Sequence, residues 1–193
     1  MTSKLIEYIK LEEFDKIIKA EKDQSYKLAY LLAYGSGLRI SEIVGYKRKQ
    51  RQRFNKETKQ LEIFKDVAEI KPLSAENIDL QAKMIRVIGG KGNKSRVVPL
   101  FPNFSEKHLK LLPLKIPRST LQHHFTALAL KVLGKPYHFH MLRHGFAVQS
   151  IKSGVKLNFI QQALGHSRLD TTGIYLQASP DDMVKDFAKG WGI

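Results

Sequence analysis

The chain has 193 residues, 42% of them hydrophobic, which is enough to bury a core as one domain. Its 33 Lys and Arg residues against 18 Asp and Glu residues give a net charge of +15, so nucleic acid is a more plausible partner than a membrane. The absence of Cys excludes disulfides, a thiolate nucleophile and a sulfur-based zinc site, and the sequence shows neither a membrane span nor a signal peptide. We therefore expect a cytoplasmic, DNA-associated protein.

The first part of the chain is predicted to be helical. Apolar residues at helical spacing predict a helix that ends near Ala20, namely Leu11, Phe14, Ile17 and Ile18. The almost continuously apolar segment Tyr26–Tyr34 predicts a buried helix that ends at Gly35-Ser36-Gly37. A new helix is expected to start at Leu38, which places Arg39 at a helix junction.

A basic segment follows these helices. Lys47–Lys59 contains seven basic residues and one acidic residue, with little apolar periodicity. This composition predicts a loop or an exposed arm. We expect it to belong to an insertion from about Tyr46 to Pro72.

The middle of the chain has the pattern of a β-hairpin. The β-branched runs Met84–Ile88 and Ser95–Pro99 flank a glycine-rich turn, residues 89–94. Lys91 is expected near the tip of this hairpin.

The rest of the chain is predicted to be helical. Ser119 is the expected cap of a helix that carries Leu121 and Phe125 and ends at Gly134. Glycine is also the expected end of two further helices, Met141–Ser153 before Gly154 and Leu157–Leu164 before Gly165. A last helix is predicted over Asp181–Ala188. The expected fold class is therefore α+β, mainly α-helical with a small antiparallel β-sheet.

Several polar residues have both a structural and a chemical interpretation. Arg39 lies three residues before Glu42 on one helical face, so an ordinary surface ion pair is an alternative for it. Lys91 and Lys94 have the alternative of solvated turn residues.

Two further pairs allow the same choice. His140 and Arg143 share one face of a helical turn near its N-terminus, where an anion is favoured, but a capping His with an Arg in an ion pair is the alternative. His166 is alternatively a helix cap, and Tyr175 a half-buried core aromatic.

Together these residues have the chemistry for phosphoryl transfer without a metal. Two guanidinium groups and a His donor can stabilise the charge that collects on the non-bridging oxygens of a five-coordinate phosphate. A Tyr nucleophile would conserve the energy of the broken bond as a phosphotyrosine ester, with His140 taking its proton. A hairpin lysine suits protonation of the departing 5′-oxygen.

Five sequence motifs, in this order and spacing, resemble the tyrosine recombinase or phage integrase family. They are Gly37-Leu38-Arg39-Ile40-Ser41-Glu42, Gly90-Lys91-Gly92-Asn93-Lys94-Ser95-Arg96-Val97-Val98-Pro99-Leu100, His140-Met141-Leu142-Arg143-His144, Leu164-Gly165-His166-Ser167 and Tyr175. Tyr175 lies nine residues after His166. The resemblance extends from about Ile9 to Tyr175.

The resemblance implies a role for each matching residue. Arg39 and Arg143 clamp the scissile phosphate, and His166 donates a hydrogen bond to it. Tyr175 attacks as the nucleophile. Lys91, rather than Lys94, donates to the leaving 5′-oxygen, since the family's catalytic lysine precedes the middle Gly of this turn.

The remaining assignments are supporting ones. His140 matches the family's proton-handling position, and Glu42 and His144 match positions that support the active arginines. The residues expected to bind DNA are Lys47, Arg48, Lys49, Arg51, Arg53, Lys94 and Arg96. No metal and no other cofactor is expected, the expected partner is double-stranded DNA, and self-association as a dimer or tetramer on DNA is implied.

This chain departs from the family pattern in two ways. Between Arg39 and Lys91 lie 51 residues, and the excess over compact members falls on the predicted insertion. The helical DNA-clamping domain that usually precedes the catalytic domain is expected to be absent, so residues 1–193 are interpreted as one catalytic domain with a tail over residues 176–193.

Three other functions compete with recombination. A type IB topoisomerase-like activity has the same chemistry but relaxes supercoils. A DNA-binding module that no longer cuts is a second alternative. The third is a metal nuclease built on histidines from the set His123, His124, His138, His140 and His144, which lack an accompanying carboxylate cluster.

Overall fold

The computed structural model describes residues 7–48, 51–55, 57–64, 68–88 and 95–165. Its helices are α1 (Leu11–Ala20), α2 (Gln24–Ser36), α3 (Ile40–Val44), α4 (Glu106–Leu109), α5 (Arg118–Leu133), α6 (His140–Lys152) and α7 (Leu157–Leu164). Its strands are β1 (Tyr46–Arg48), β2 (Arg51–Asn55), β3 (Gln60–Phe64), β4 (Ala68–Ile70), β5 (Ile78–Asp79), β6 (Met84–Val87) and β7 (Arg96–Pro99). The predicted α+β class, mainly helical with antiparallel strands, is confirmed.

The helical core is organised around α2. Asp23 caps this helix by accepting hydrogen bonds from the backbone N–H groups of Ser25 and Tyr26 at 2.7 and 3.2 Å. Helix α2 is buried on most sides and packs against α6, while α1 packs against α5 and α6. Tyr30 of α2 meets the rings of Phe125 and Phe139 edge to face. These ring contacts connect α2 to α5 and to the residue that precedes α6.

Gly37 sets the direction of the chain after α2. It has a φ of 68°, and a Cβ at this position would lie 2.6 Å from the ring of Phe146. Only glycine meets both constraints without strain. The backbone therefore turns sharply at this point, and Arg39 follows as the residue immediately before α3, as predicted.

Strands β5, β6 and β7 form a three-stranded antiparallel sheet, and β7 packs against α7 and α2. The pairing Met84↔Pro99 to Val87↔Arg96 confirms the predicted hairpin. Its glycine-rich turn, which contains Lys91 and Lys94, lies outside the described residues. Arg96 is the first residue of β7 and pairs with Val87 at the end of the hairpin that is next to the turn.

The basic segment is not an irregular loop. Strand β1 pairs with β4, and β2 pairs with β3 in the register Arg51↔Phe64 to Asn55↔Gln60. Both pairs are antiparallel, and we refer to these four strands, β1 to β4, as the arm. Of the two predicted alternatives, a loop or an exposed arm, the paired strands fit the arm. The strands themselves were not predicted, because strand pairing satisfies the backbone groups even where the apolar alternation is weak.

Smaller differences concern helix ends and exposure. Helix α5 begins at Arg118 after Pro117, so Ser119 lies inside the helix and is not its cap. Leu11 of the predicted apolar stripe is 45% exposed, whereas Phe14 and Ile17 are buried. The predicted helix over Asp181–Ala188 lies outside the described residues. No helix in the described ranges has the length and apolar character needed to cross a bilayer.

Candidate active site

A cluster of three arginines and one glutamate joins the ends of three elements. Arg39 precedes α3, Arg96 begins β7 and Arg143 lies in α6, and Glu42 is in α3. These four side chains together carry three positive charges and one negative charge, a net charge of +2. Such an excess on partly desolvated groups creates a site for an anion.

The two arginines implied to bind phosphate converge on one backbone carbonyl. Arg39 donates from Nη2 to the Leu164 oxygen at 3.0 Å, and Arg143 donates from Nη2 to the same oxygen. Arg143 also donates from Nη1 to the Gly37 oxygen at 2.5 Å. The structure therefore brings together residues that are 104 positions apart in the sequence (143 − 39).

The two guanidinium groups differ in accessibility. The Arg39 side chain is 22% exposed, while Arg143 is 2% exposed. The Leu164 carbonyl lies at the C-terminal end of α7, where the helix dipole contributes partial negative charge. This carbonyl offsets part of the repulsion between the two positive groups and fixes their relative position.

Glu42 is the buried counter-ion of the cluster. Its carboxylate accepts hydrogen bonds from the Arg39 backbone N–H at 2.7 Å and from Arg39 Nη1 at 2.9 Å. Burial by itself raises the pKa of Glu42, but the hydrogen bonds and charges of Arg96 and Arg39 outweigh burial and lower this pKa to about 2. Glu42 therefore remains ionised. The ion pair that was the alternative for Arg39 is present, but its carboxylate is buried, so it is not an ordinary surface pair.

His140 and His144 lie beside the arginines at the start of α6. Their ring centroids are 4.6 Å apart and their planes are nearly perpendicular. Desolvation of the His140 ring, followed by the charges of Arg143 and Arg39, lowers its pKa below the ordinary value. At neutral pH, His140 is therefore mainly in its neutral form, which can accept a proton.

Not every predicted site residue can be located. Lys49, Lys91, Lys94, His166 and Tyr175 lie outside the described residues. In the sequence, His166 directly follows Gly165, the left-handed cap of α7. Lys47 is exposed in β1, with its Nζ 3.7 Å from a carboxylate oxygen of Glu69.

Three further predicted DNA-binding residues, Arg48, Arg51 and Arg53, lie in strands of the arm. Arg96 has a different environment, because its side chain is 8% exposed and its guanidinium faces Glu42 and the Ala163 carbonyl. The direct DNA contact predicted for Arg96 has no support in this placement.

Sequence reasoning missed the backbone acceptors of the site. The Gly37, Ala163 and Leu164 carbonyls hold the three arginines, yet a carbonyl leaves no mark in a sequence. The available signal was the glycine at the end of each of two helices, Gly37 after α2 and Gly165 after α7. No cluster of three or more His, Asp or Glu side chains suited to a metal occurs in the described part of the chain, so its geometry gives the metal-nuclease alternative no support.

Known proteins share this fold and these motifs. Residues 107–181 match the model of the phage integrase family. The tyrosine recombinase XerA of Pyrococcus horikoshii is 28% identical over 185 residues, which cover 87% of this chain and 55% of that protein. The chain thus spans about half the length of this curated relative.

Solved structures agree on the fold. The crystal structure of XerA recombinase superposes with a TM-score of 0.66 at 20% identity, covering 98% of this chain and 65% of that one. XerH site-specific recombinase, in a post-cleavage complex with palindromic difH substrate, gives a TM-score of 0.61 at 21% identity, covering 96% and 53%. The fold is that of a tyrosine recombinase catalytic domain. Residues 107–181 match the phage integrase family, and the chain as a whole is similar to tyrosine recombinases in sequence and in fold.

Proposed function

We propose that this chain is the catalytic domain of a site-specific DNA recombinase that cleaves and rejoins strands through a 3′-phosphotyrosine at Tyr175. The observation that carries this proposal is the convergence of Arg39 and Arg143 on the Leu164 carbonyl, in a cluster with a net charge of +2. A phosphodiester is the anion whose reaction needs such a clamp. The names of the relatives, tyrosine recombinases and site-specific recombinases, agree with this activity.

The proposed reaction balances without an external energy source. The Tyr175 oxygen bonds to phosphorus while the bond from phosphorus to the 5′-oxygen breaks. Neutral His140 takes the tyrosine proton, and Lys91 gives a proton to the leaving 5′-oxygen. Attack of a 5′-hydroxyl on the phosphotyrosine reverses these steps, and the strand is rejoined to the same or to a different partner.

The test is formation of a covalent adduct. The wild-type chain is incubated in EDTA with nicked duplexes whose sequence around the nick is randomised, and adducts are collected on a denaturing gel. We expect a DNA–protein adduct from the wild type and none from Tyr175→Phe, because phenylalanine has no nucleophilic oxygen. The captured duplex then serves as the defined substrate in later experiments.

Each other outcome favours a different function. Binding of duplex without an adduct would favour the non-cleaving module, and dependence on added divalent metal would favour a nuclease. An adduct that persists in Tyr175→Phe would refute the proposed nucleophile. Exchange between two labelled duplexes separates recombination from relaxation of supercoiled DNA.

The arm is proposed to contact DNA phosphates. It contains Lys47 and the other basic residues of its first two strands, and the ion pair of Lys47 with Glu69 is exposed on both sides, so it competes only weakly with a phosphate. Replacing the basic residues of the arm by Gln should reduce the slope of log binding constant against log salt by about 0.9 for each phosphate contact removed. Binding is measured by fluorescence anisotropy at several salt concentrations.

The matched control replaces exposed lysines on the helices, Lys110 and Lys131, by Gln. The control should leave the slope nearly unchanged if the arm is a main contact. An arm variant with the wild-type slope would contradict the proposed contact.

Exchange between two duplexes requires protein on both of them, so the proposal includes self-association on DNA.

A further inference from the structure

Arg96 donates three side-chain hydrogen bonds at the turn end of the β6–β7 hairpin. Its Nη1 and Nη2 donate to the two carboxylate oxygens of Glu42 at 2.8 and 2.9 Å. Its Nε donates to the Ala163 carbonyl at 2.7 Å. A planar guanidinium matches a carboxylate in this two-bond geometry, and a lysine does not.

These contacts join three parts of the active site. Arg96 begins β7, Glu42 also holds Arg39, and Ala163 directly precedes the Leu164 carbonyl that both phosphate-binding arginines share. The close approach is possible because residue 165 is glycine, where a Cβ would lie 3.0 Å from Arg96 Cδ. Arg96 is therefore enclosed between the hairpin, α3 and the end of α7.

We propose that Arg96 is a positioning residue that fixes the turn end of the β6–β7 hairpin on the arginine cluster, so that the hairpin delivers Lys91 to the phosphate held there. This inference rests on the proposed function. Lys91 lies five residues before Arg96, so a fixed Arg96 keeps Lys91 within about 17 Å along even a fully extended chain. Without the anchor, the same lysine would sample a wider volume, and proton donation would slow.

The position of Arg96 explains why it acts on the leaving group in particular. Arg39 has contacts with Glu42 and Leu164 that do not pass through Arg96, so we expect them to persist when Arg96 is replaced. The hairpin, by contrast, loses its charged connection to α3 and its hydrogen bond to α7. The expected defect is therefore in protonation of the 5′-oxygen rather than in binding of the phosphate.

The experiment compares two leaving groups on the captured duplex. In one substrate the bridging 5′-atom is oxygen, and in the other it is sulfur, whose thiolate is a weak base, with a thiol pKa of about 8.5, and leaves without a proton. Rates of adduct formation are measured for the wild type, Arg96→Lys, Arg96→Met and Lys91→Ala. Arg86→Met is the matched control, because Arg86 is an exposed arginine on β6 of the same hairpin.

We expect both Arg96 variants to lose about 10- to 100-fold on the oxygen substrate and to approach the wild-type rate on sulfur. This loss is smaller than the full contribution of a general acid, about 100- to 10,000-fold, because Lys91 itself is retained. Lys91→Ala should show the same selective rescue, and Arg86→Met should match the wild type on both substrates. Rescue on sulfur also demonstrates that a variant is folded and binds DNA.

Equal losses on the two substrates, or no loss on either, would overturn the role of Arg96. A failure of Arg96→Lys to fold would also overturn it, since the residue would then be needed for the fold and not for positioning. Absence of any wild-type adduct is a different result, because it would refute the proposed function before Arg96 is tested.

Discussion

Arg143→Lys is expected to reduce adduct formation by on the order of 1,000-fold while leaving duplex binding within a few fold of wild type. Arg143 connects the Gly37 and Leu164 carbonyls through two nitrogens of one planar group, and a lysine ammonium cannot span both. Removing one preorganised donor from a charge-stabilising site commonly costs about 100- to 1,000-fold in rate. Loss of the Arg143 guanidinium also removes a hydrogen bond from the Leu164 carbonyl, which is the carbonyl that positions Arg39.

The affinity of Arg143→Lys for duplex DNA should change much less than its rate of adduct formation. Duplex affinity is a sum over many phosphate contacts, so one buried arginine contributes little to it. Arg118→Lys is the matched control, because Arg118 is exposed at the start of α5 and its guanidinium lies over the ring of Tyr46. Single-turnover adduct rates, together with mobility shifts and a thermal melt, separate chemistry from binding and folding. A folded Arg143→Lys chain with the wild-type rate would refute the proposed clamp.

Glu42→Gln should lower the free energy of unfolding by about 3 kcal/mol at pH 7. The pKa of Glu42 falls from its ordinary 4.5 to about 2 in the folded chain, a difference of 2.5 units, and each unit corresponds to about 1.4 kcal/mol. Breaking a buried ion pair on one side has a cost of the same order. The neutral amide also leaves Arg96 and Arg39 without their shared counter-ion.

The sign of the pH dependence follows from the lowered pKa. The stabilisation by Glu42 is fully present above pH 4.5 and is lost as the pH falls through 2. The difference in free energy of unfolding between wild type and Glu42→Gln should therefore become smaller as the pH falls from 4.5 to 2. Urea unfolding at several pH values measures it. Glu69→Gln is the control, since Glu69 is half-exposed and its pair with Lys47 is worth little. A difference that stays constant with pH would contradict the assignment.

Local sequence signals predicted most of the elements. Helices α2, α6 and α7 and the β6–β7 hairpin followed from apolar spacing and from glycines at their ends. These signals succeed because capping and left-handed turns are satisfied within a few residues. The strands of the arm were not predicted because their apolar alternation is weak and their stability depends on the pairing partner. Ser119 was predicted wrongly as a cap because α5 begins at Arg118, directly after Pro117.

The sequence by itself determined which catalytic residue types are present, in what order and at what spacing. This pattern was enough to recognise the resemblance to the family, and it consists of Arg39, Lys91, His140, Arg143, His166 and Tyr175. Only the tertiary structure decided how the arginines are held. Their partners are backbone carbonyls and one buried carboxylate, brought together from segments as far apart as residues 37 and 164. The sequence predicted that Arg96 contacts DNA, whereas in the fold Arg96 is a buried partner of Glu42. Burial and long-range pairing are properties of the packed chain, so no local pattern could have assigned them.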